Sequence, residues 1–138
     1  MTHAPTTRRL GGRLAGLALL ASLAACGPSA QRIAAEDTVR TASRGLGEAH
    51  ASGGEDPAVH EALGEADQWL AHSEEAVADW GTGPRSLAWE TMAPCLARAL
   101  RDLRDALSAA GSVVPADLET AEVSAAAVSD DACPRRRP

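Results

Sequence analysis

Residues 87–110 read LAWETMAPCLARALRDLRDALSAA. Trp89, Met92, Leu96, Leu100, Leu103, Leu107 and Ala110 recur at steps of three and four, which puts them on one side of a helix. Arginines and aspartates occupy the other side. One such helix cannot bury its own stripe, so it needs partners. Pro94 lies inside the pattern and allows two readings. Either the helix starts near Ser86 and bends at Pro94, or the regular helix begins near Ala93. Leu87 falls opposite the stripe, which favours a separate first turn.

Three further segments share the spacing. The first, about residues 30–51, carries Ala35, Val39, Ala42, Leu46 and Ala49. Gly45 and Gly47 weaken it by on the order of 1 kcal/mol each relative to Ala. Ser52-Gly53-Gly54 breaks it. The second opens at Asp56-Pro57, an N-cap followed by a first-turn proline. Its stripe is Val59, Leu63, Ala66, Leu70, Ser73, Val77 and Trp80, and Gly81-Thr82-Gly83-Pro84 ends it. After Gly111-Ser112 the last opens at Pro115, with Asp117 and Glu119 complementing the helix dipole. Its stripe is Val114, Leu118, Ala121, Ala125, Val128 and Ala132. No window alternates with period two. The expectation is an all-α, four-helix up-down-up-down bundle over residues 30–133, with helices of about 15–25 residues. Its core is slender: alanine supplies 31 of 138 residues, and only 21 larger apolar side chains follow Cys26.

The N-terminus has a different character. Residues 1–13 are polar and basic, and a 12-residue apolar run, Leu14 to Ala25, ends at Cys26. Twelve helical residues span about 18 Å, short of the roughly 30 Å hydrocarbon core of a bilayer. A basic stretch followed by a short apolar one reads as a secretory signal. Leu23-Ala24-Ala25-Cys26 resembles the lipobox of bacterial lipoproteins. The resemblance covers about the first 27 residues. It implies diacylglycerol on the Cys26 sulfur, cleavage before Cys26, and a membrane partner reached through that lipid anchor. Residues 1–25 are then the signal peptide, 26–29 the lipidated cysteine and a short tether, and 134–138 a basic tail. Thr7-Arg8-Arg9 is similar to the twin-arginine export signal. Gly11 and Gly12 stand where that signal has apolar residues, so general secretion fits better. The family's sorting rule places an Asp after the cysteine in proteins kept at the inner membrane. Gly27 occupies that position, which implies the periplasmic face of the outer membrane in a two-membrane cell. Otherwise the address is the outer face of the cell membrane.

Export puts Cys95 and Cys133 in an oxidising compartment, where an even pair reads as a disulfide. Their sequence midpoint is Val114, in the expected last turn, so an antiparallel helix pair brings the thiols to one level. Closing this loop would stabilise the fold by roughly 4 kcal/mol on the entropic model.

Charge and motifs exclude several function classes. Past the leader, ten arginines face 19 acids, a net charge of −9, which excludes a nucleic-acid partner recruited by overall charge. His50, His60 and His72 do not group as metal ligands; His60 and His72 lie about 120° apart on one helix. Ser73 adjoins His72 but diverges from it by about 100°, and there is no nucleophile elbow. Glu61, Glu65, Glu75 and Asp79 spread over the face opposite Leu63 and Leu70, as a solvated face requires. There is no phosphate-binding or dinucleotide motif. No enzyme activity, cofactor or metal is expected.

Two features can recognise something else. Trp69 and Trp80, 11 residues apart, fall within about 20° of each other on a helical wheel. With Trp89 they either cap the slender core, or Trp69 and Trp80 form a partly exposed partner-binding ridge. Arg135, Arg136 and Arg137 follow the bundle. In an even-helix bundle both chain ends share a pole, so these arginines are candidates for contact with anionic headgroups, worth about 1 kcal/mol each. The sequence therefore reads as a membrane-anchored envelope lipoprotein serving as a structural or protein-protein interaction module with an envelope protein partner. The alternatives are an apolar small-ligand carrier, with a cavity near the three tryptophans, and an inhibitor or immunity protein against a secreted enzyme.

Overall fold

The computed structural model describes residues 29–133. Four helices follow in order: α1 (Ala30–Ser52), α2 (Pro57–Ala78), α3 (Leu87–Ala109) and α4 (Ala116–Ala126). Each packs against its neighbours in sequence, and α4 closes back on α1. The result is an all-α up-down-up-down bundle, with no strand among the described residues.

Local chemistry sets most boundaries. The Ser29 hydroxyl accepts from Arg32 N at 3.2 Å and starts α1. An Asp56 carboxylate oxygen accepts from Ala58 N and Val59 N, and Pro57 takes the first helical position, where its missing N–H costs nothing. Ser86 caps α3 through Trp89 N at 3.2 Å. At the other end of α3, Gly111 adopts φ 69°. Its N–H bonds Ser108 O and the next N–H bonds Leu107 O, so two carbonyls that would lack partners are satisfied.

The seam residues form one core. Ala35, Val39, Ala42, Leu46 and Ala49 from α1 meet Val59, Leu63, Ala66 and Leu70 from α2. Leu96, Leu100, Leu103 and Leu107 of α3 are completely buried, as is Leu118 of α4. Full burial of each is worth about 1.5–3 kcal/mol. Buried Thr38 and Ser73 donate their hydroxyls to Ala34 O and Trp69 O, so their own helices satisfy them.

Of the two readings of Pro94 the early start near Ser86 holds, and one expectation, the length of the last helix, changes. α3 runs unbroken from Leu87 across Pro94, with no separate first turn. The Ser86 cap and the burial of Trp89, 3% exposed, hold that turn in register with Leu96, while Leu87 points to solvent. The fourth helix is shorter than its stripe suggests and stops at Ala126. Beyond it the Ser129 hydroxyl accepts from Asp131 N at 3.1 Å, a local turn that competes with helix. Val128 is partly buried and Ala132 exposed.

Candidate functional site

α3 has 23 residues and α4 has 11, about 34 and 16 Å of helix. α4 therefore fills only half of its lane between α1 and α3. At one pole the start of α1, the α2–α3 connection and the start of α3 come together without a full fourth helix beside them. A cleft of about 370 Å³ opens there. Ala34, Ala35 and Thr38 of α1 form one wall, Trp80, Trp89 and Glu90 another, and Ser124, Ala127 and Val128 the third. Gln31, Asp37 and Ser86 also line it, so among the described residues its charged lining residues are Asp37 and Glu90. Each carboxylate has an arginine outside the cleft: Arg40 lies 3.5 Å from Asp37, and Arg85 lies 3.8 Å from Glu90.

Of the two readings of the tryptophans, capping of the core fits their burial and the Trp69–Trp80 ridge does not. α2 ends at Ala78, and the chain turns inward, so the helical spacing does not extend to Trp80. Trp80 is 5% exposed, and its Nε1 donates to Gly83 O at 3.2 Å. Trp69 is partly buried against the core, with its ring edge-on to that of His72 at 5.7 Å. Trp80 and Trp89, rather than Trp69 and Trp80, come together at a cleft.

Cys95 and Cys133 are bonded, with a Cα–Cα distance of 4.7 Å. Cys95 is buried in α3, as is Ala99 one turn further along the same face. The non-helical segment after α4 crosses to α3 to make this bond. The lipobox with Cys26, and Arg135, Arg136 and Arg137, lie outside the described residues.

His50, His60 and His72 are exposed and spread over α1 and α2, and His50 Nε2 lies 2.8 Å from Asp67 Oδ2. Glu61, Glu75 and Asp79 face solvent, and Glu65 is paired with Arg98 at 3.2 Å. Ser73 is buried in the core while His72 lies outside, so the two do not form a nucleophile–base pair.

Sequence reasoning missed Glu122. Its side chain is 8% exposed, and both oxygens are used: Arg101 Nε donates to one and Arg104 Nη1 to the other, each at 2.8 Å. The hydrogen bond from Arg101 to Glu122, reinforced by their charges, raises the Arg101 pKa above its ordinary value. This carboxylate pins α4 to α3 midway along the lane. The signal was present: Leu118, Ala121, Glu122 and Ala125 share the wider stripe of a core-facing helix. Among the described residues no group of three or more His, Cys, Asp or Glu is placed to hold a metal ion, and no helix is long and apolar enough to cross a membrane. Comparison with known proteins gives no match: no family model, no curated protein and no solved structure aligns significantly with this chain.

Proposed function

We propose that this chain is an envelope lipoprotein, diacylated at Cys26, whose bundle acts as a non-enzymatic interaction module for an envelope protein partner. The observation that carries this reading is the distance between the lipobox cysteine and the fold. Only Gly27 and Pro28 separate Cys26 from Ser29, the residue that caps α1. Three residues reach at most about 11 Å. A lipid on Cys26 would hold the pole bearing the start of α1 against the bilayer and present the helix flanks and the opposite pole to partners. Solvated acids on α2 and the surface ion pairs of α1 suit such a presented face.

The test is made on the native protein. Its intact mass should match residues 26–138 plus an acylated glyceryl group, and it should fractionate with membranes. Cys26→Ala should abolish both the acyl mass and the cleavage before residue 26. A native product that begins elsewhere and carries only polypeptide mass refutes the anchor.

A further inference from the structure

We propose that the pole where α1 and α3 begin rests directly on the bilayer, with the Ile33 and Leu87 side chains set into its interfacial layer. This contact deepens the lipid-anchor reading and rests on it. The anchor ties the chain to the membrane; the two side chains fix how the bundle stands there.

Among the described residues, the large apolar side chains left exposed are Ile33, Leu87, Val113 and Val123. A scattered exposed apolar residue is ordinary, so position decides. Val113 lies in the α3–α4 connection at the opposite pole. Val123 follows Glu122, level with Arg101 and Arg104 midway along the bundle. Ile33 and Leu87 are 53% and 77% exposed, and each sits in the first turn of a helix that begins at the anchor pole. Helical Cα–Cβ bonds tilt toward the N-terminus, so both side chains lean toward that pole. Ser29 lies at most about 11 Å from Cys26, and Ile33 comes one helical turn later, about 5.4 Å further. A diacylglycerol on Cys26 therefore brings Ile33 close to the headgroups.

The surface beside these residues suits an interface. Gly81-Thr82-Gly83-Pro84, exposed in the α2–α3 connection shortly before Leu87, carries no charge. Arg85 is paired with Glu90 at 3.8 Å, and Arg32 with Glu36 at 2.9 Å, so the charges near Leu87 and Ile33 largely cancel. Asp79 at the end of α2 stays exposed, so apolar burial, not attraction to anionic headgroups, makes the contact. Each helix packs on its sequence neighbours and α4 on α1, which sets α1 and α3 at diagonal corners. Contacts at two opposite corners hold the bundle axis upright, which a single flexible tether cannot do.

The test uses the natively acylated protein in phosphatidylcholine vesicles, carrying Ile33→Trp, Leu87→Trp or Val113→Trp. All three positions are exposed, so the thermal transition should stay in place, and the native tryptophans give the background to subtract. With lipids brominated near the top of the acyl chains, the added emission at 33 and 87 should shift to the blue and be quenched. At 113 neither should occur, because the length of α3, about 34 Å, separates the two poles. Emission at 33 and 87 that matches 113, whether all are quenched or none, overturns the upright contact; an acyl mass on the same sample leaves the anchor standing. A blue shift without bromine quenching means that protein covers these residues, and it also overturns the contact. A sample without acyl mass overturns the anchor and the contact with it.

Discussion

The two ends of the α4 lane differ sharply. At the pole where α4 begins, its first turn packs directly on the α1 backbone. A Cβ added at Gly45 would lie 2.9 Å from both the backbone N and Cδ2 of Leu118. At the other pole the helix has ended, and the same lane is an open cleft floored by Trp80 and Trp89. One frame thus holds a close backbone contact and a vacancy about three helical turns apart. A glycine opposite a fully buried leucine draws two helices together. A Ser-Asp-Asp run that prefers a turn follows the end of the helix. The Glu122 carboxylate, held by Arg101 and Arg104, marks the border between the two regimes.

The largest expected effect tests the open end. Reducing the Cys95–Cys133 bond, or Cys133→Ala, should cost about 4 kcal/mol, since 38 residues are released from the loop. In hydrogen exchange, protection should be lost first around Ala125–Val128, while Leu118 keeps its protection longest within α4. Uniform loss along α4 would erase the distinction between the two ends. Next comes the close contact. Gly45→Ala should destabilise by about 1–3 kcal/mol in denaturant melts, because α4 must move away from α1. Glu122→Gln keeps the shape but removes the charge shared by two arginines. A loss of about 1–2 kcal/mol is expected, reduced because Arg101 is half exposed and screened by solvent. Gly47→Ala sharpens the Gly45 comparison by its sign. Nothing lies within 4 Å of the added Cβ, so the helix should gain about 0.5–1 kcal/mol. If Gly45→Ala stabilises as Gly47→Ala does, the close approach of α4 to α1 is wrong.

Much of this was legible in advance, and what was not has specific causes. Asp56-Pro57 signalled the start of α2 because capping involves only neighbouring residues. The α1 stripe from Ala35 to Ala49 is buried throughout, as its spacing required. Pro94 left two starts open for α3, because its local effect does not reveal that Trp89 is anchored in the core. The stripe carried through Val128 to Ala132 overstated α4, because periodicity takes no account of the turn at Ser129. The cleft was invisible, since its walls come from residues as far apart as Ala34 and Val128. Glu122 could be placed near a seam, but its partners lie 18 and 21 residues away on another helix.

Period, caps and breakers acted over a few residues, so the sequence alone determined four rods and the central part of each buried stripe. How close any two rods come depends on which side chains interleave across distant segments. Only the tertiary structure decided that α4 presses on Gly45 at one pole and leaves Trp80 and Trp89 beneath an open cleft at the other.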